Sequence, residues 1–539
     1  MHDKTDEPHH AQHRGSAIYS KIVKGGFWVF VGRGAAQVLS LARWVVLSWM
    51  IRDPNDWGLM GIAVIALMFL ETFTETGFMF ALVQKPQVDR ADLDSVWTVS
   101  LIRGLGICTV MCLAAPVVAR FFEQSANPAQ AQAALANHDL AVWVIRAFAL
   151  TIVFRAAANI GIVYFRRELQ FDKLFIIDTT GLIVDVAVAV VIATIFRSVW
   201  ALVCGKLACE SVRAVMSYAM HPYRPSFAID RQRCDQLWKF GKWMFWSTVF
   251  SYLLMQGDSL LIGRLLGWSA LGLYMMAGRY AAVPATEVTR VISQVTFPAY
   301  SLMQHDLERL RDAYIQVLKA TAFLSLPLAG AIIVLAPEFV TTILSSQWHP
   351  IIPVMQLLAA NGAIMSIGAT IGPAFQAIGK PRTSAKLQFV KLVFLAVLIY
   401  PLTRGYGIRG TALAVAISSL LIQPISLSFL SRMTGVKASD VMRTLYIPLS
   451  ATIIFSAVVL GIRHLTGAPS LLRLAGLCII IPLLYLGSIL VSDRLFGYGF
   501  VAALGQYISH LRPARLPNTD KTRQAGNVPG PDPSAKEHT

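Results

Sequence analysis

The chain has 539 residues, of which 55% are apolar and only 14% charged, at a mean hydropathy of +0.57. Water-soluble globular chains are about 45–50% apolar and about 25% charged, so this chain carries too little charge to cover a water-facing surface. The same figures exclude a disordered chain, a collagen and a disulfide scaffold. An all-α integral membrane protein remains, long enough for some 10–16 spans of roughly 20–25 residues each. The net charge of +17 does not point to nucleic acid. Most Lys and Arg lie in short segments between apolar runs, which is how membrane orientation is encoded, and no nucleic-acid-binding signature accompanies them.

Residues 1–25 are polar; they include His9, His10 and His13, read as solvated, and close with Lys21 and Lys24. The first apolar run, 26–51, is too long for a signal-peptide core, contains two arginines and lacks a small-residue exit, so it is read as a retained helix. Membrane-length runs follow at 58–83, 96–119, 140–164, 171–195, 199–220, 243–263, 270–298, 317–340, 351–377, 384–402, 410–430, 444–462 and 471–491, making fourteen. With the N-terminus in the cytoplasm, thirty Lys and Arg fall on that side, eight on the other and nine within spans. Both termini are therefore expected to be cytoplasmic. None of the six cysteines forms a CxxC or a Cys/His ligand set. Cys108, Cys112, Cys204, Cys209, Cys234 and Cys478 read as small packing residues rather than as metal or redox groups.

An internal repeat follows from two similar offsets. Gly58-Leu59-Met60 of "DWGLMGIA" and Gly272-Leu273-Tyr274 of "ALGLYMMA" are 214 apart, and Ala201-Leu202 and Ala412-Leu413 are 211 apart. Helices 1–6 thus repeat as 7–12, with helices 13 and 14 appended. Six is even, so both copies point the same way, giving two lobes about an axis along the membrane normal with a cavity between them. The expected organisation is a cytoplasmic tail 1–25, an N-lobe 26–220, a cytoplasmic linker 221–242, a C-lobe 243–430, helices 13–14 in 431–495, and a cytoplasmic tail 496–539 with a disordered end.

The segment "QGDSLLIGRLLGWSALGLYMMAGRYAAVP", with Asp258, Ile262, Gly263, Gly267, Leu271, Gly272, Tyr274 and Pro284, resembles the seventh-to-eighth helix signature of bacterial Wzx-type polysaccharide flippases. "FPAYSLMQHD", "DWGLMGIAVI", "ETGFMFALVQK", "FRRELQFDKL" and "VWALV" match as well, so the resemblance covers about residues 20–495. It is nearest to the colanic-acid and exopolysaccharide branch of the multidrug/oligosaccharidyl-lipid/polysaccharide (MOP) exporter superfamily. The resemblance implies a fourteen-helix carrier of two six-helix lobes in the bacterial inner membrane, opening alternately to either side. The implied cargo is an oligosaccharide repeat unit on undecaprenyl diphosphate.

Sixteen ionisable residues lie within the spans. Each costs about 2.5–3.5 kcal/mol at a lipid-facing centre, on the order of 40–55 kcal/mol together, which is several times a typical folding stability. Most must face protein or a wet path. Glu71 and Glu75 share a face at four residues' spacing, Asp178 and Asp185 lie two turns apart on one stripe, and Lys206, Glu210 and Arg213 form a row that can neutralise itself. Arg146 and Arg155, nine apart, point to opposite faces of a regular helix, so unless the helix is broken one of them pairs elsewhere or snorkels. Arg213, Lys206 and Arg290 read as snorkelling or structurally paired, with Glu287 as the partner of Arg290.

Arg33 and Arg279 lie on the opening helices of the two lobes. With Arg43, Arg103 and Arg155 they are the expected diphosphate- and sugar-binding residues, because guanidinium forks suit a diphosphate. No GxxxxGK[ST] loop is present, so ATP hydrolysis is not expected. An ion gradient then drives transport, and Asp258, Glu71, Glu75, Asp178 and Asp185 are the expected H⁺ or Na⁺ coupling groups. No cofactor, metal or catalytic residue is expected. Besides membrane lipid, the expected partners are a polysaccharide polymerase and chain-length/export proteins, with the chain itself a monomer. The rivals are a MOP exporter of peptidoglycan precursor or of drugs and cations, and a membrane glycosyltransferase or polymerase. Arginine outnumbers lysine in the spans, against a cationic cargo, and the Ala/Gln-rich loop 120–139 lacks the acidic pair such an enzyme would carry.

Overall fold

The computed structural model describes residues 34–74, 82, 88–123, 137–168, 170–228, 252–282, 296, 300, 303–304, 306–466 and 469–496. Among these, every regular element is a helix. The N-lobe comprises α1 (34–50), α2 (Pro54–Phe73), α3 (Arg90–Glu123), α4 (His138–Ala157), α5 (Phe171–Phe196) and α6 (Trp200–Met220). The C-lobe comprises α7 (252–266), α8 (Trp268–Ala281), α9 (Leu307–Thr342), α10 (Ile351–Gly368), α11 and α12. The last two are the limbs of one run, Pro381–Thr434, bent at Gly407, whose φ of 60° and ψ of −141° favour glycine. α13 (Ala438–Thr466) and α14 (Leu471–Phe496) follow. Two compact units are distinguished, Met1–Ile481 and Pro482–Thr539. In the second, the described part is the latter stretch of α14.

Several boundaries differ from those expected, each for a local reason. α2 starts at Pro54 rather than 58, because the Asp53 carboxylate accepts the Asn55 N–H at 2.9 Å and Pro54 suits the first turn. An apolar-run reading passes over so polar a start. α2 is described as far as Phe73, and most of the rest of the expected run to 83 lies outside the described residues. α9 extends back to Leu307, where the Asp306 carboxylate accepts the Arg309 N–H at 3.1 Å. The expected helix 140–164 breaks after Ala157. Ala158 turns extended, and Asn159 accepts the Gly161 N–H at 2.9 Å to start a 3₁₀ turn and the short helix Val163–Arg167. The expected helix 351–377 divides into α10 and a short continuation, Ile371–Ala377.

The repeated glycine motif turns out to be where the lobes touch. A Cβ on Gly58 would strike the Trp268 carbonyl, and a Cβ on Gly272 would strike the Pro54 carbonyl. Each glycine sits four residues into its helix and meets the first residue of the other, so the crossing of α2 and α8 is reciprocal. Other contacts gather at this same end of the bundle, where odd-numbered helices hand over to even-numbered ones. The Trp348 indole donates to the Ser48 carbonyl at 3.4 Å, the Trp49 indole donates to the Ile343 carbonyl, and Arg264 donates to the Phe121 carbonyl at 2.8 Å. Trp57 packs between Trp44 and Trp348, at ring-centroid distances of 4.9 and 6.0 Å. The two lobes are closed against each other here.

Candidate anion-binding site

The N-lobe holds a charged cluster built from five of its helices. On α6, Glu210 is 5% exposed and is approached by Lys206 at 2.6 Å, Arg213 at 3.5 Å and, from α4, Arg155 at 3.7 Å. Arg155 also bonds Glu71 of α2 at 2.8 Å, and Arg213 reaches Asp178 of α5 at 3.4 Å. Arg43 of α1 pairs with Asp185 of α5 at 2.9 Å. Two small residues make this possible. A Cβ on Gly181 would meet Arg213 Cγ at 2.8 Å, so Gly181 lets that side chain lie across α5. A Cβ on Gly205 would meet Asp185 Oδ1 at 2.5 Å, so Gly205 admits the carboxylate between α5 and α6.

Beside this cluster lies a cavity of about 400 Å³, walled by α3, α4, α5, α6 and the break after α4. Arg103, Arg155, Arg166 and Arg213 line it against two carboxylates, Asp178 and Glu210, and Ser100, Asn159 and Ser217 add uncharged polar groups. Arg103 also donates to the Thr74 carbonyl at 3.3 Å. A pocket with four guanidiniums and two carboxylates has a cationic surplus and forked donors, the chemistry that holds phosphate or diphosphate oxygens.

The cavity's end of the lobe is bound by a strap, residues 221–228. The Asn159 amide donates to the carbonyls of His221 at 3.4 Å and Tyr223 at 2.6 Å. Tyr223 donates its hydroxyl to Asp94, whose Oδ1 also accepts the Ser226 N–H at 2.8 Å, and Phe227 packs on Trp97 at 5.1 Å. Burial, and then the Lys173 charge, hold His221 below the ordinary imidazole range. In keeping with a neutral ring, His221 Nδ1 accepts the Tyr223 N–H at 3.1 Å.

Of the expected cargo residues, Arg103 and Arg155 line this cavity and Arg43 joins the cluster through Asp185. Arg279 lies apart, where the lobes meet: it bonds the Ser40 hydroxyl and sits 5.7 Å from the Trp44 ring. Arg33 lies outside the described residues. Among the coupling candidates, Glu71, Asp178 and Asp185 belong to the cluster, although Asp178 is 67% exposed and Asp185 only 8%. Asp178 and Asp185 share a helix but not an environment. Glu75 lies outside the described residues, as do Arg290 and Glu287. Asp258 is in the C-lobe, where its Oδ2 accepts the Tyr274 hydroxyl at 2.6 Å. Arg146 bonds the Cys112 carbonyl at 3.2 Å and stacks by Trp143 at 5.4 Å, away from Arg155.

Sequence reasoning missed Arg166, Asn159 and Ser217, and it set Arg213 and Lys206 aside as structural. The row Lys206–Glu210–Arg213 was legible as self-neutralising. That Arg155 would arrive from another helix to share Glu210 was not. The signal that could have found Arg166 is its place in "FRRELQFDKL", eight residues after the helix break at Ala158.

Among the described residues, the long helices α1–α14 fall into two lobes with two helices appended, a fold shared with solved transporters of the MOP superfamily. The solved structure of a lipid II flippase MurJ in an inward closed conformation overlays 86% of this chain and 98% of that chain, with a TM-score of 0.68 at 14% identity. An inward-facing multidrug resistance MATE family transporter overlays 74% of this chain and 94% of its own, with a TM-score of 0.58 at 16% identity. The sequence narrows the class. The family described as "Polysaccharide biosynthesis protein" matches residues 46–353, and the chain belongs to it. The lipopolysaccharide biosynthesis protein WzxC of Escherichia coli (strain K12) is 25% identical over 418 residues, spanning 76% of this chain and 80% of that protein. The succinoglycan biosynthesis transport protein ExoT of Rhizobium meliloti (strain 1021) is 26% identical over 330 residues, 61% of this chain and 64% of its own.

Proposed function

We propose that this protein carries undecaprenyl-diphosphate-linked oligosaccharide units from the cytoplasmic to the periplasmic leaflet of the inner membrane, for exopolysaccharide biosynthesis. The observation that carries this reading is the four-arginine cavity among the membrane helices of a chain in the polysaccharide biosynthesis family. With cytoplasmic termini, the closed α2–α8 crossing lies on the periplasmic side and the cavity in the cytoplasmic half of the N-lobe. That is an arrangement ready to take cargo from the cytoplasmic leaflet. The diphosphate enters among Arg103, Arg155, Arg166 and Arg213, displacing carboxylate partners from Arg155 and Arg213, while the polyprenyl tail stays in lipid. Arg279 contacts cargo from where the lobes meet, and Arg33 is a further cargo-binding residue.

Coupling uses carboxylates that exchange a cation between the two states. Asp185 facing Arg43 and Asp258 facing Tyr274 are the best-placed pair, and H⁺ or Na⁺ is the driving ion. A carrier of this kind makes or breaks no covalent bond, and it works alongside a polymerase and export proteins.

Depleting the protein and locating the accumulated lipid-linked saccharides tests this reading. Complete repeat units trapped in the cytoplasmic leaflet are expected. Truncated glycans would mean a glycosyltransferase, complete units stranded outside would mean a polymerase, and unchanged lipid-linked sugars would mean an exporter of another cargo.

A further inference from the structure

A second polar pocket lies far along the chain from the cavity above; its α9 residues fall within the family match, which ends at 353, and its other residues lie beyond it. It is open, about 490 Å³, and formed where α9, α13 and the start of α14 come together. Glu338 of α9 is 1% exposed at its base. Its Oε1 is shared by Arg463 of α13 at 2.5 Å and Arg473 of α14 at 3.1 Å. One carboxylate between two guanidiniums leaves a positive charge in surplus, and His464 at the rim adds a third basic group. The second carboxylate oxygen, Oε2, is buried and accepts no hydrogen bond among the described residues.

These two features ask for different things. The arginines ask for an anion with several oxygens, for which phosphate is the usual match. The buried oxygen asks for a donor, since a buried acceptor is seldom left without one. Neither a bare phosphate nor a simple ammonium meets both. The surroundings indicate where such a ligand comes from. Leu460, Leu465 and Leu472 stand 52%, 85% and 86% exposed beside the charged groups, at the ends of apolar membrane helices. Exposed leucines beside a cationic pocket describe the level at which acyl chains give way to headgroups.

We propose that this pocket binds the phosphoethanolamine headgroup of a membrane phospholipid, its phosphate on Arg463 and Arg473 and its ammonium on Glu338 Oε2. The bound lipid would tie α13 and α14 to α9 in whichever leaflet this end of the bundle meets. The proposal is independent of the cargo, because none of its residues belongs to the N-lobe cavity.

Native mass spectrometry of the full-length protein, delipidated and then offered defined lipids, tests it. Phosphatidylethanolamine should be retained at least tenfold better than phosphatidylglycerol of the same chain length, and soluble glycerophosphoethanolamine should not compete at equal concentration. Glu338→Gln should erase the preference between the two lipids. That variant also cuts both arginine pairs and can unfold the region, so Thr341→Trp is the second test. Thr341 lines the pocket and the substitution leaves the triad intact; it should lower phosphatidylethanolamine retention by a similar factor without shifting the melting temperature. Equal retention of the two lipids by the unaltered protein would overturn the proposal, as would undiminished retention in Thr341→Trp. Competition by the soluble headgroup would overturn the assignment to a lipid, and selective retention of a lipid diphosphate would make this pocket part of the cargo route instead.

Discussion

The two lobes repeat one architecture but fill it with different chemistry. On the offset of 211 that relates Ala201-Leu202 to Ala412-Leu413, Lys206, Glu210 and Arg213 of α6 correspond to Ile417, Leu421 and Pro424 of α12. Asp178 and Asp185 of α5 correspond to Phe389 and Ala396 of α11. Where the N-lobe places an ion network, the C-lobe places aliphatic and aromatic side chains and neutral polar ones. Gln423, for example, donates to the Ile364 carbonyl at 3.2 Å, and Thr403 and Thr411 share a bond of 2.8 Å. The crossing of α2 and α8, by contrast, keeps the symmetry, down to the glycine on each side. The contrast teaches that an architecture can be repeated while the buried ion network is built in only one copy at these matched positions.

The network itself gives the largest expected effect. Glu210→Leu would make the N-lobe position match the C-lobe one, but it would leave Lys206, Arg155 and Arg213 without their shared carboxylate. Removing one partner from a buried ion network costs about 3–5 kcal/mol, so the melting temperature in detergent should fall by several degrees and flipping should be lost. Leu421→Ala, at the matched position in the C-lobe, alters a side chain that is 43% exposed and should cost no more than about 0.5 kcal/mol.

The symmetric part gives the next effect. Gly58→Ala and Gly272→Ala each push a methyl into backbone of the opposite helix, and overpacking of this kind costs about 1–3 kcal/mol. Because each glycine faces the other's helix, the single variants should behave alike and the double variant should cost less than their sum. Cross-linking between α2 and α8 would show the closed form depleted in all three. Unequal single variants would break the symmetry argument.

The fold was largely legible because its cause is local. Span length, alternating Lys and Arg, and the Gly58 and Gly272 motifs are all properties of short stretches of sequence, and they yielded fourteen helices and two lobes. The misjudged boundaries, at Pro54, Ala157 and Leu307, depend on capping side chains and on a strap that arrives from residue 221 onward. The site was half legible for the same reason. Spacing on one helix showed that Lys206, Glu210 and Arg213 neutralise one another, and that Arg146 and Arg155 face apart. It did not show that α2, α4, α5 and α6 bring Glu71, Arg155, Asp178 and Glu210 into one network, because no periodicity encodes a contact between helices.

Smaller effects would sharpen the contrast further. Asp258→Asn keeps an acceptor for the Tyr274 hydroxyl but removes the charge. If Asp258 exchanges the driving ion, flipping in proteoliposomes should lose its response to an imposed H⁺ or Na⁺ gradient, with the melting temperature changed little. A gradient response equal to that of the unaltered protein would return the coupling role to Asp185.

The mildest effect concerns pH at the strap. His221 has a depressed affinity for protons in the folded chain, so the unfolded segment binds more protons once pH drops below about 6.5. Strap docking is therefore at full strength above that pH and weakens as pH falls towards the depressed value. Amide protection of residues 221–228, corrected for intrinsic exchange, should decrease between pH 7.5 and 5.5. His221→Asn keeps a side-chain acceptor two residues before Tyr223 and should flatten that dependence.

The central claim, that the arginines of the N-lobe cavity handle an anionic cargo, is tested most directly on one helix. Arg155 lines the cavity, whereas Arg146, on the same α4, bonds the Cys112 carbonyl outside it. Flipping of a polyprenyl-diphosphate oligosaccharide should be measured in proteoliposomes for Arg155→Gln and Arg146→Gln, each checked for an unchanged melting temperature. The account predicts at least a tenfold loss for Arg155→Gln and near-normal flipping for Arg146→Gln. Equal rates for the two variants would contradict it.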